Sequence, residues 1–553
     1  MELMYILNVI PLIKIPRPNS QILSYFSISR INPGFLIKVS IRNRKVDAVV
    51  LECRSMDQEK LRLKKYADFE IKPIEKNKIL KQILNENQIK LLIWLSEYYF
   101  APIGLFARIF LAKKSSSFAK ATEDNPHLTL TPKTKGLVFG SFGRGLKSIT
   151  VEDSESDLYQ SWGRKPYYNV KDIAIQLAKI HNAKLILKTS LPSIEDHYGA
   201  KNNSYFLQIQ NPKSKIQKTI VDMREEMKNG NFSPISTILK EKLENSNKSI
   251  LFIARRGTST IVLCRECGYI AKCRSCDVPM VYHEEKSSRR LVCHHCGKDD
   301  IAPVLCPNCK SIKIKYLGAG TQKVESEIKK LFPDKKVFRL DGDISEKPTE
   351  QQKIITELKN SDNTILIGSQ MILNKDLDTD LMAIISIDTI LNLPDFKSSE
   401  RVFQTINQLV NMTRNKFIIQ TYNADSKTIK YAIENNFNTF YNEEIEARKK
   451  YNYPPFSEII KLSYSHKDFT IAKNDALILK NKLEQQIRTQ LKIESWKLKI
   501  NLFGPSPAFV PKEKGTYKWN IIIKSQLTTE ERNKILIIVP PTWEIEVNPA
   551  MAG

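Results

Sequence analysis

Eight of the nine cysteines fall within one short stretch, and their spacing is typical of metal ligands. They form four Cys-x-x-Cys pairs: Cys264 and Cys267, Cys273 and Cys276, Cys293 and Cys296, and Cys306 and Cys309. Both sulfurs of such a pair can point at one metal ion. Two pairs complete the tetrahedral shell of four thiolates that zinc takes in closed structural sites. The four pairs therefore predict two structural Zn²⁺ ions.

Other uses of these cysteines fit the sequence less well. A disulfide framework is typical of secreted proteins, and the first residues lack the basic segment and cleavage site of a secretory signal. A redox motif would need only one pair. Spacing alone leaves three ways to join four pairs into two sites. His283, His294 and His295 lie among the pairs and could replace a thiol, although eight thiols favour a surface or supporting role for them. Cys53, in the strand-like run VVLECRS, is expected to be a buried or half-buried thiol without a metal.

The overall composition points to a polyanionic partner. Among 553 residues, 86 Lys and Arg oppose 60 Asp and Glu, which gives a net charge of +26. A field of that sign attracts nucleic acid above all, although a lysine-rich proteome would also produce it. The length predicts about three or four domains. No apolar run is long enough for a transmembrane helix, so we expect a cytoplasmic protein without a membrane partner.

The cysteines lie inside a stretch in which strand-like and helical runs alternate. KSITV, VKDIAIQLAKIHN and KLILKT precede them, and GTQKVESEIKKLF, KVFRLD, EQQKIITELKN, NTILIGS and LMAIISID follow them. This alternation predicts a parallel sheet flanked by helices, with the zinc segment as an insertion. Residues 1–75 read as strands and turns, including IPLIKI, GFLIKVSI and VDAVVLE, and 76–112 have helical spacing. Residues 113–135 are rich in Ser, Thr, Lys and Pro, which is typical of a linker.

With these features in place, the sequence resembles the PriA family of primosomal replication-restart helicases. The cysteine segment resembles the family's zinc-binding insertion. The similarity continues through LGAGTQKVESEIKKLFPDKKVFRLDGD, LNLPDFKSSERVFQ, FYNEEIEARKKYNYPPFSEI and FGPSPAF followed by GTYKW. INPGFLIKVSIRNRKVDAVVLE and WLSEYYFAPIG resemble the family's 3′-DNA-end-binding domain. The resemblance covers most of the chain apart from residues 113–145.

The resemblance implies a multidomain α/β architecture. It places a β-rich 3′-DNA-end-binding domain at 1–112, a linker or insertion at 113–145 and a truncated RecA-like first helicase lobe at 146–230. A RecA-like second lobe follows at 231–262 and 311–440, interrupted by the two-zinc, eight-cysteine insertion at 263–310, and an α+β C-terminal domain occupies 441–553. It also implies a pairing. Cys264, Cys267, Cys306 and Cys309 would hold one zinc, and Cys273, Cys276, Cys293 and Cys296 the other.

The phosphate-binding loop of such a helicase is missing. That loop reads GxxxxGK followed by Ser or Thr, and it leads from a strand into a helix. The nearest match is Gly140 to Ser148, GSFGRGLKS, in which Leu146 is one residue too many before Lys147. The strand-like run SITV follows, so no helix N-terminus would face an anion. We expect a turn between strands here.

Three further motor motifs are altered. The family's DEEH box reads Glu152-Asp153-Ser154-Glu155, and its SATPS motif reads TSLPS at 189–193. The arginine-finger motif QVAGRAGR has the uncharged Met412 and Asn415 at both arginine positions, with Arg414 one place away. In the DNA-end domain, LSYF places Ser24 where the family has an Asp that contacts the 3′-terminal nucleotide.

The retained parts are the binding parts, and we expect a replication-restart protein that recognises forked, gapped or single-stranded DNA and helps to reload the replicative helicase. The resemblance implies other primosome proteins, single-stranded-DNA-binding protein and the replicative helicase or its loader as partners. With four motifs altered, neither ATP nor Mg²⁺ is expected as a cofactor, and no catalytic residue is assigned. The alternatives are an active ATP-dependent 3′-to-5′ helicase with cryptic motifs, a zinc-ribbon module serving another nucleic-acid process, or a decayed relic.

Overall fold

The computed structural model describes residues 4–17, 19–42, 44–55, 72–74, 79–111, 126–132, 145–156, 159–161, 165–202, 204–209, 216–254, 260–264, 266–274, 279–285, 288–293, 297–317, 321–341, 348–375, 377–393, 395–491, 500–513 and 515–551. None of the helices within these ranges has an apolar stretch long enough to cross a membrane.

The elements below follow chain order. The strands are β1 (Tyr5–Pro11), β2 (Leu23–Ser27), β3 (Phe35–Ile41), β4 (Arg44–Ser55), β5 (Lys72–Pro73), β6 (Ile79–Gln82), β7 (His127–Leu130), β8 (Ser148–Val151), β9 (Lys184–Thr189), β10 (Phe206–Ile209), β11 (Gln217–Asp222), β12 (Lys248–Ile253), β13 (Thr260–Cys264), β14 (Val281–Glu285), β15 (Ser288–Val292), β16 (Asp299–Ile301), β17 (Ile314–Leu317), β18 (Lys336–Leu340), β19 (Thr364–Gly368), β20 (Thr379–Ser386), β21 (Thr413–Thr421), β22 (Glu458–His466), β23 (Ile500–Glu513), β24 (Thr516–Ser525) and β25 (Glu544–Val547). The helices are α1 (Glu86–Tyr98), α2 (Ile103–Leu111), α3 (Val170–His181), α4 (Ile194–Lys201), α5 (Met223–Lys228), α6 (Thr237–Glu244), α7 (Thr321–Leu331), α8 (Pro348–Asn360), α9 (Asp388–Leu391), α10 (Ser398–Asn411), α11 (Lys427–Ile433), α12 (Phe437–Lys450), α13 (Phe469–Leu491) and α14 (Thr529–Leu536), with a 3₁₀ turn at Gln370–Asn374.

The N-terminal region is a mainly antiparallel sheet followed by two helices. Its strand order within the described ranges is β5-β2-β1-β4-β3-β6, and the short β2–β5 pair is parallel. Helix α1 begins at a capping box, in which the Asn85 side chain accepts the N–H of Gln88 at 2.9 Å and the Gln88 side chain accepts the N–H of Asn85 at 2.7 Å. Two predictions were wrong here. The first strand lies largely before IPLIKI, and β6 precedes the helices within 76–112.

A first parallel sheet follows, with the order β10-β9-β8-β7. Helix α3 follows β8 and helix α4 follows β9, as the alternating pattern predicts. Strand β7 lies inside the stretch predicted as a linker, 113–145, so the sheet begins before residue 146. Leu128 and Leu130 of β7 are buried, and they alternate with exposed residues, which is the pattern of a half-buried strand. The Ser- and Lys-rich surroundings concealed this short run.

A second parallel sheet has the order β11-β21-β20-β12-β19-β18. Strand β11 pairs in parallel with β21, although the predicted boundary placed it in the first lobe, 146–230. Local alternation of strands and helices does not specify which sheet a strand joins, so the sequence placed this boundary wrongly. Apolar residues that alternate along the strands form one hydrophobic cluster on each face of the sheet.

The cysteine-rich insertion leaves the second sheet after β12 and returns to it before α7. It is a small antiparallel sheet in the order β16-β15-β14-β13-β17. We call it the zinc ribbon.

The C-terminal domain is another antiparallel sheet, β23-β24-β22-β25, with α13 packed on it and α14 against α13.

The first parallel sheet shares its hydrophobic core with its neighbours. Fully buried members of this cluster include Ile149 and Ile173 from the sheet and its helix, Leu91 from α1 and Leu483 from α13. The N-terminal helices, the short sheet and the C-terminal domain therefore bury apolar surface together. The described part of this sheet depends on both neighbours for its stability.

A buried arginine joins the two parallel sheets. Arg448 on α12 is 1% exposed, and its guanidinium lies 2.7 Å from Glu400 on α10, 3.2 Å from Glu195 on α4 and 3.0 Å from Glu444. Burial alone would raise the pKa of the Glu195 carboxyl, but the neighbouring Lys397 and Arg448 outweigh it and hold the pKa well below its usual range. Burial raises the pKa of the Glu444 carboxyl, although Arg448 acts to lower it. The buried guanidinium is thus balanced by carboxylates at hydrogen-bond distance.

We expect Arg448→Met to lower the free energy of unfolding by about 3–5 kcal/mol, because it leaves buried carboxylates without their cation. Urea unfolding followed by circular dichroism measures this loss. The matched control is Arg414→Met, which removes an exposed arginine paired with Asp378 at 2.7 Å. This control should hardly change the urea midpoint, because exposed ion pairs contribute little. Equal losses in the two variants would contradict a structural role for the buried cluster.

Candidate metal centre

The two outer cysteine pairs converge on one point. The Sγ atoms of Cys264, Cys267, Cys306 and Cys309 all lie within 4.8 Å of one another. Two of the separations, Cys264 to Cys309 and Cys267 to Cys306, are 3.6 Å. Within the described ranges, no other group of His, Cys, Asp and Glu side chains is arranged to hold a metal ion. The structure thus brings together the set of four that the resemblance assigns to one zinc.

Backbone hydrogen bonds fold each outer pair into the same tight turn. The N–H of Gly268 donates to the carbonyl of Cys264 at 2.9 Å, and the N–H of Lys310 donates to that of Cys306, also at 2.9 Å. Gly268 and Lys310 both have positive φ, at 74° and 59°. The turn directs both sulfurs of a pair to the same side, which explains why the Cys-x-x-Cys spacing is needed.

The cluster fits a tetrahedral zinc ion. Thiolates 2.3 Å from such an ion are about 3.8 Å apart, close to the separations in the cluster. Burial raises the pKa of the Cys264 thiol to about 12. Burial acts the same way on Cys267, but hydrogen bonds from the Tyr269 backbone, Asn308 and the neighbouring thiols outweigh it and bring the pKa to about 7. Zinc binds the thiolate form, so its binding would release protons from the cluster.

The inner pairs are described only in part. Cys273 and Cys293 are buried in the core of the zinc ribbon. The N–H of Gly297 donates to the Cys293 carbonyl at 2.8 Å, which is the same hydrogen bond that Gly268 and Lys310 form in the outer pairs. Cys276, Cys296, His294 and His295 lie outside the described residues, and of His283 only the backbone is described. Cys53 is half-buried in β4, apart from the other thiols.

The described end of the nearest match to a phosphate loop lies at the amino end of its strand. Its first residues, 140–144, lie outside the described ranges, but Lys147 and Ser148 directly precede and begin β8. They therefore lie at the amino end of the strand. In a phosphate-binding loop the Lys and Ser follow the carboxyl end of a strand and open a helix. Leu146, the extra residue, is buried in the shared hydrophobic cluster.

The altered DEEH and SATPS motifs lie in contact and form hydrogen bonds with each other. The Glu155 carboxylate accepts hydrogen bonds from the hydroxyls of Thr189 at 2.6 Å and Ser190 at 2.7 Å. Burial raises the pKa of this carboxyl, although these hydrogen bonds act to lower it. Glu152 forms an ion pair with Lys188 at 2.9 Å. These carboxylates are used within the protein rather than grouped around a cation.

Helix α4, which follows the SATPS-like motif, already holds an anion at its N-terminus. The Glu400 carboxylate accepts the N–H of Ile194 at 2.8 Å, and the Ser193 hydroxyl accepts the N–H of Asp196 at 3.0 Å. Helix N-termini are the usual binding positions for phosphate groups. Here the side chain of Glu400, from helix α10, occupies that position. Neither Glu400 nor Arg448 was predicted from the sequence. No local pattern marked them, because each lies beside other charged residues in its helix.

The residues at the arginine-finger positions lie away from the altered DEEH and SATPS motifs. Arg414 lies near the amino end of β21, where its exposed side chain pairs with Asp378. Met412 packs against the core of the second sheet, and Asn415 is exposed. These three residues lie apart from the carboxyl-end loops that carry Glu155 and Thr189.

In the DNA-end region, Ser24 belongs to a polar row across three strands. Its hydroxyl donates to the Asn8 side chain at 2.8 Å, and Asn8 donates to Glu52 at 3.2 Å. Arg54 pairs with the same Glu52 at 2.6 Å. The row leaves Ser24 exposed on the sheet surface, where a nucleotide hydroxyl could exchange with Asn8.

Family models match three parts of the chain. Residues 12–112 match the 3′ DNA-binding domain of PriA, residues 273–299 match the Cys-rich region domain of PriA DNA helicase, and residues 449–538 match the primosomal protein N C-terminal domain. The first and third coincide with the N-terminal region and the C-terminal domain of the structure. The second covers the inner cysteine pairs.

Named relatives agree with these matches. The replication restart protein PriA of Bacillus subtilis is 32% identical over 412 residues, which cover 72% of this chain and 49% of that protein. The PriA of Borreliella burgdorferi is 33% identical over 394 residues, which cover 69% of this chain and 57% of that protein. The chain thus spans about half the length of the curated relatives it matches. Among solved structures, S. cerevisiae Dbp5 bound to RNA and ADP BeF3 covers 67% of this chain and 97% of its own, at 11% identity and a TM-score of 0.30, which is too low to support an argument.

Replacing a buried outer ligand should remove one metal ion. We expect Cys306→Ser to lower the zinc content by about one equivalent per chain relative to the unmodified protein, because three thiolates no longer close the tetrahedral shell. Metal analysis of the purified protein measures this. Cys53→Ser is the control and should leave the zinc content unchanged. Full zinc content in Cys306→Ser would show that the outer cluster is not the site.

Proposed function

The chain is a relative of the PriA replication restart proteins, and we propose that it recognises stalled forks or other branched DNA and helps to reload the replicative helicase without being a helicase itself. The observation that carries the second half of this proposal is the position of Lys147 and Ser148. Lys147 directly precedes β8 and Ser148 begins it, so both lie at the amino end of the strand. A phosphate loop would follow the carboxyl end of a strand. The match of residues 12–112 to a 3′ DNA-binding domain supports the first half.

We further propose that the two parallel sheets are helicase lobes. The six-stranded sheet would be the second lobe, and the four-stranded sheet a remnant of the first. In the remnant, the helix N-terminus nearest the altered motifs is occupied by Glu400. The position of Lys147 and the occupied N-terminus of α4 would each remove a phosphate contact that a motor of this kind needs. The chain would bind DNA and partners but would not move along DNA.

The zinc ribbon is proposed to hold two ions. The outer cluster would take one, and Cys273, Cys276, Cys293 and Cys296 would take the other. The buried positions of Cys273 and Cys293 and the repeated turn at Gly297 support the second site. Both would be structural ions, because four thiolates leave no open coordination position.

The proposed partners follow from charge and similarity. A net charge of +26 favours association with DNA, and such binding weakens as salt rises. By similarity to PriA, we propose other primosome proteins, single-stranded-DNA-binding protein and the replicative helicase or its loader as protein partners, in the cytoplasm.

The test combines ATP hydrolysis with fork binding by one zinc-loaded preparation. We expect no hydrolysis above a protein-free control, with or without forked DNA. We expect fork binding that is the same with and without ATP and that weakens with added salt. Fluorescence anisotropy of a labelled fork and a phosphate-release assay measure the two properties.

Lys147→Ala provides the internal control, since Lys147 is the nearest candidate for a phosphate-binding lysine. It should change neither ATP hydrolysis nor the dependence of fork binding on ATP. DNA-stimulated hydrolysis that Lys147→Ala abolishes would overturn the motorless proposal and restore the helicase. Absence of fork binding at low salt would overturn the proposed DNA role.

A further inference from the structure

One residue of each tight turn in the zinc ribbon distinguishes the turns from one another. The residue four places after the first cysteine of a pair is described in three of the four pairs. It has positive φ each time, at 74° in Gly268, 78° in Gly297 and 59° in Lys310. Since lysine adopts this conformation at the third turn, backbone conformation alone does not require glycine at the other two. A second constraint must act on Gly268 and Gly297.

That constraint is contact with other domains. A β-carbon built on Gly268 would lie 2.9 Å from the carbonyl oxygen of Tyr422, at the carboxyl end of β21. A β-carbon on Gly297 would lie 3.0 Å from the carbonyl oxygen of Pro505 and 3.5 Å from Gly504, in β23 of the C-terminal domain. Lys310, in contrast, is exposed. Glycine thus occurs at the two turns that are pressed against a neighbouring backbone.

The two contact points differ in how they are held on the neighbour's side. The N–H of Tyr422 donates to the buried carboxylate of Asp388 at 3.1 Å, and the Thr421 hydroxyl donates to the same group at 2.9 Å. In β23 the pairing register with β24 shifts between Phe503 and Ser506, so Gly504 and Pro505 leave the ladder where the ribbon meets them. A side chain at either turn would have to displace main chain, which yields less readily than a flexible side chain.

We infer that two of the zinc-binding turns are also docking contacts, one for the second parallel sheet at Tyr422 and one for the C-terminal domain at Pro505. Zinc fixes the turns, and the turns fix the ribbon between the two domains. Loss of zinc would then release both contacts. The inference rests on the proposed zinc sites, but not on the proposed role in replication restart, so neither DNA nor ATP enters its test.

The test is hydrogen exchange of the full, zinc-loaded chain, measured by mass spectrometry. Gly297→Ala should speed exchange in 500–508 about tenfold and leave 422–425 unchanged, because only the Pro505 contact is broken. Gly268→Ala should do the reverse. Gly230→Ala is the control: Gly230 also has positive φ, at 85°, but a β-carbon there would meet nothing within 4 Å, so exchange in both segments should match the unmodified protein.

A second measurement covers the case in which a variant fails to fold. Removing zinc from the unmodified protein with a chelator should speed exchange in both 422–425 and 500–508, and restoring zinc should reverse this. Unchanged exchange in either segment after the zinc has left would overturn the inference. Equal changes in Gly297→Ala and Gly230→Ala would also overturn it, because they would reduce the effect to backbone strain.

Discussion

The Glu400 carboxylate is the contact on which the arrangement of the two parallel sheets depends. One oxygen accepts the N–H of Ile194 at the start of α4, and the other accepts the buried guanidinium of Arg448. Buried ions are costly unless each is paired and hydrogen-bonded. Arg448 meets this condition with three carboxylates and the carbonyl of Pro454. Separating the two sheets would break the hydrogen bond of Ile194 to Glu400 and the ion pair of Glu195 with Arg448, which both cross the junction.

The features that the sequence predicted correctly are those that depend on residues close together in the chain. The period of apolar residues indicated most strands and helices around the insertion, because each element buries its own apolar face. The cysteine turns were predictable for a similar reason, since four residues suffice to direct two sulfurs to one side. The interpretation of Lys147 also needed only its neighbours, because the strand after it excludes a helix N-terminus.

What the sequence could not predict depends on distant partners. Strand β11 looks like any other strand of the alternating pattern, and only its pairing with β21 places it in the second sheet. Glu400, Glu195 and Arg448 are far apart in the chain, and a single sequence gives no sign that they meet. The close backbone contacts of Gly268 and Gly297 likewise involve residues that are distant in the sequence. The candidate site was thus predictable in its ligands but not in its surroundings.

The shared hydrophobic core gives the short first sheet a structural role. Ile149 and Ile173 belong to one hydrophobic cluster with apolar residues of the N-terminal helices and the C-terminal domain. Arg532 of α14 adds a polar link, because it donates to the carbonyls of Glu97 and Tyr98 at the end of α1. Without the short sheet, both neighbours would expose apolar surface. The short first sheet is therefore part of the structural base that the N-terminal region and the C-terminal domain share.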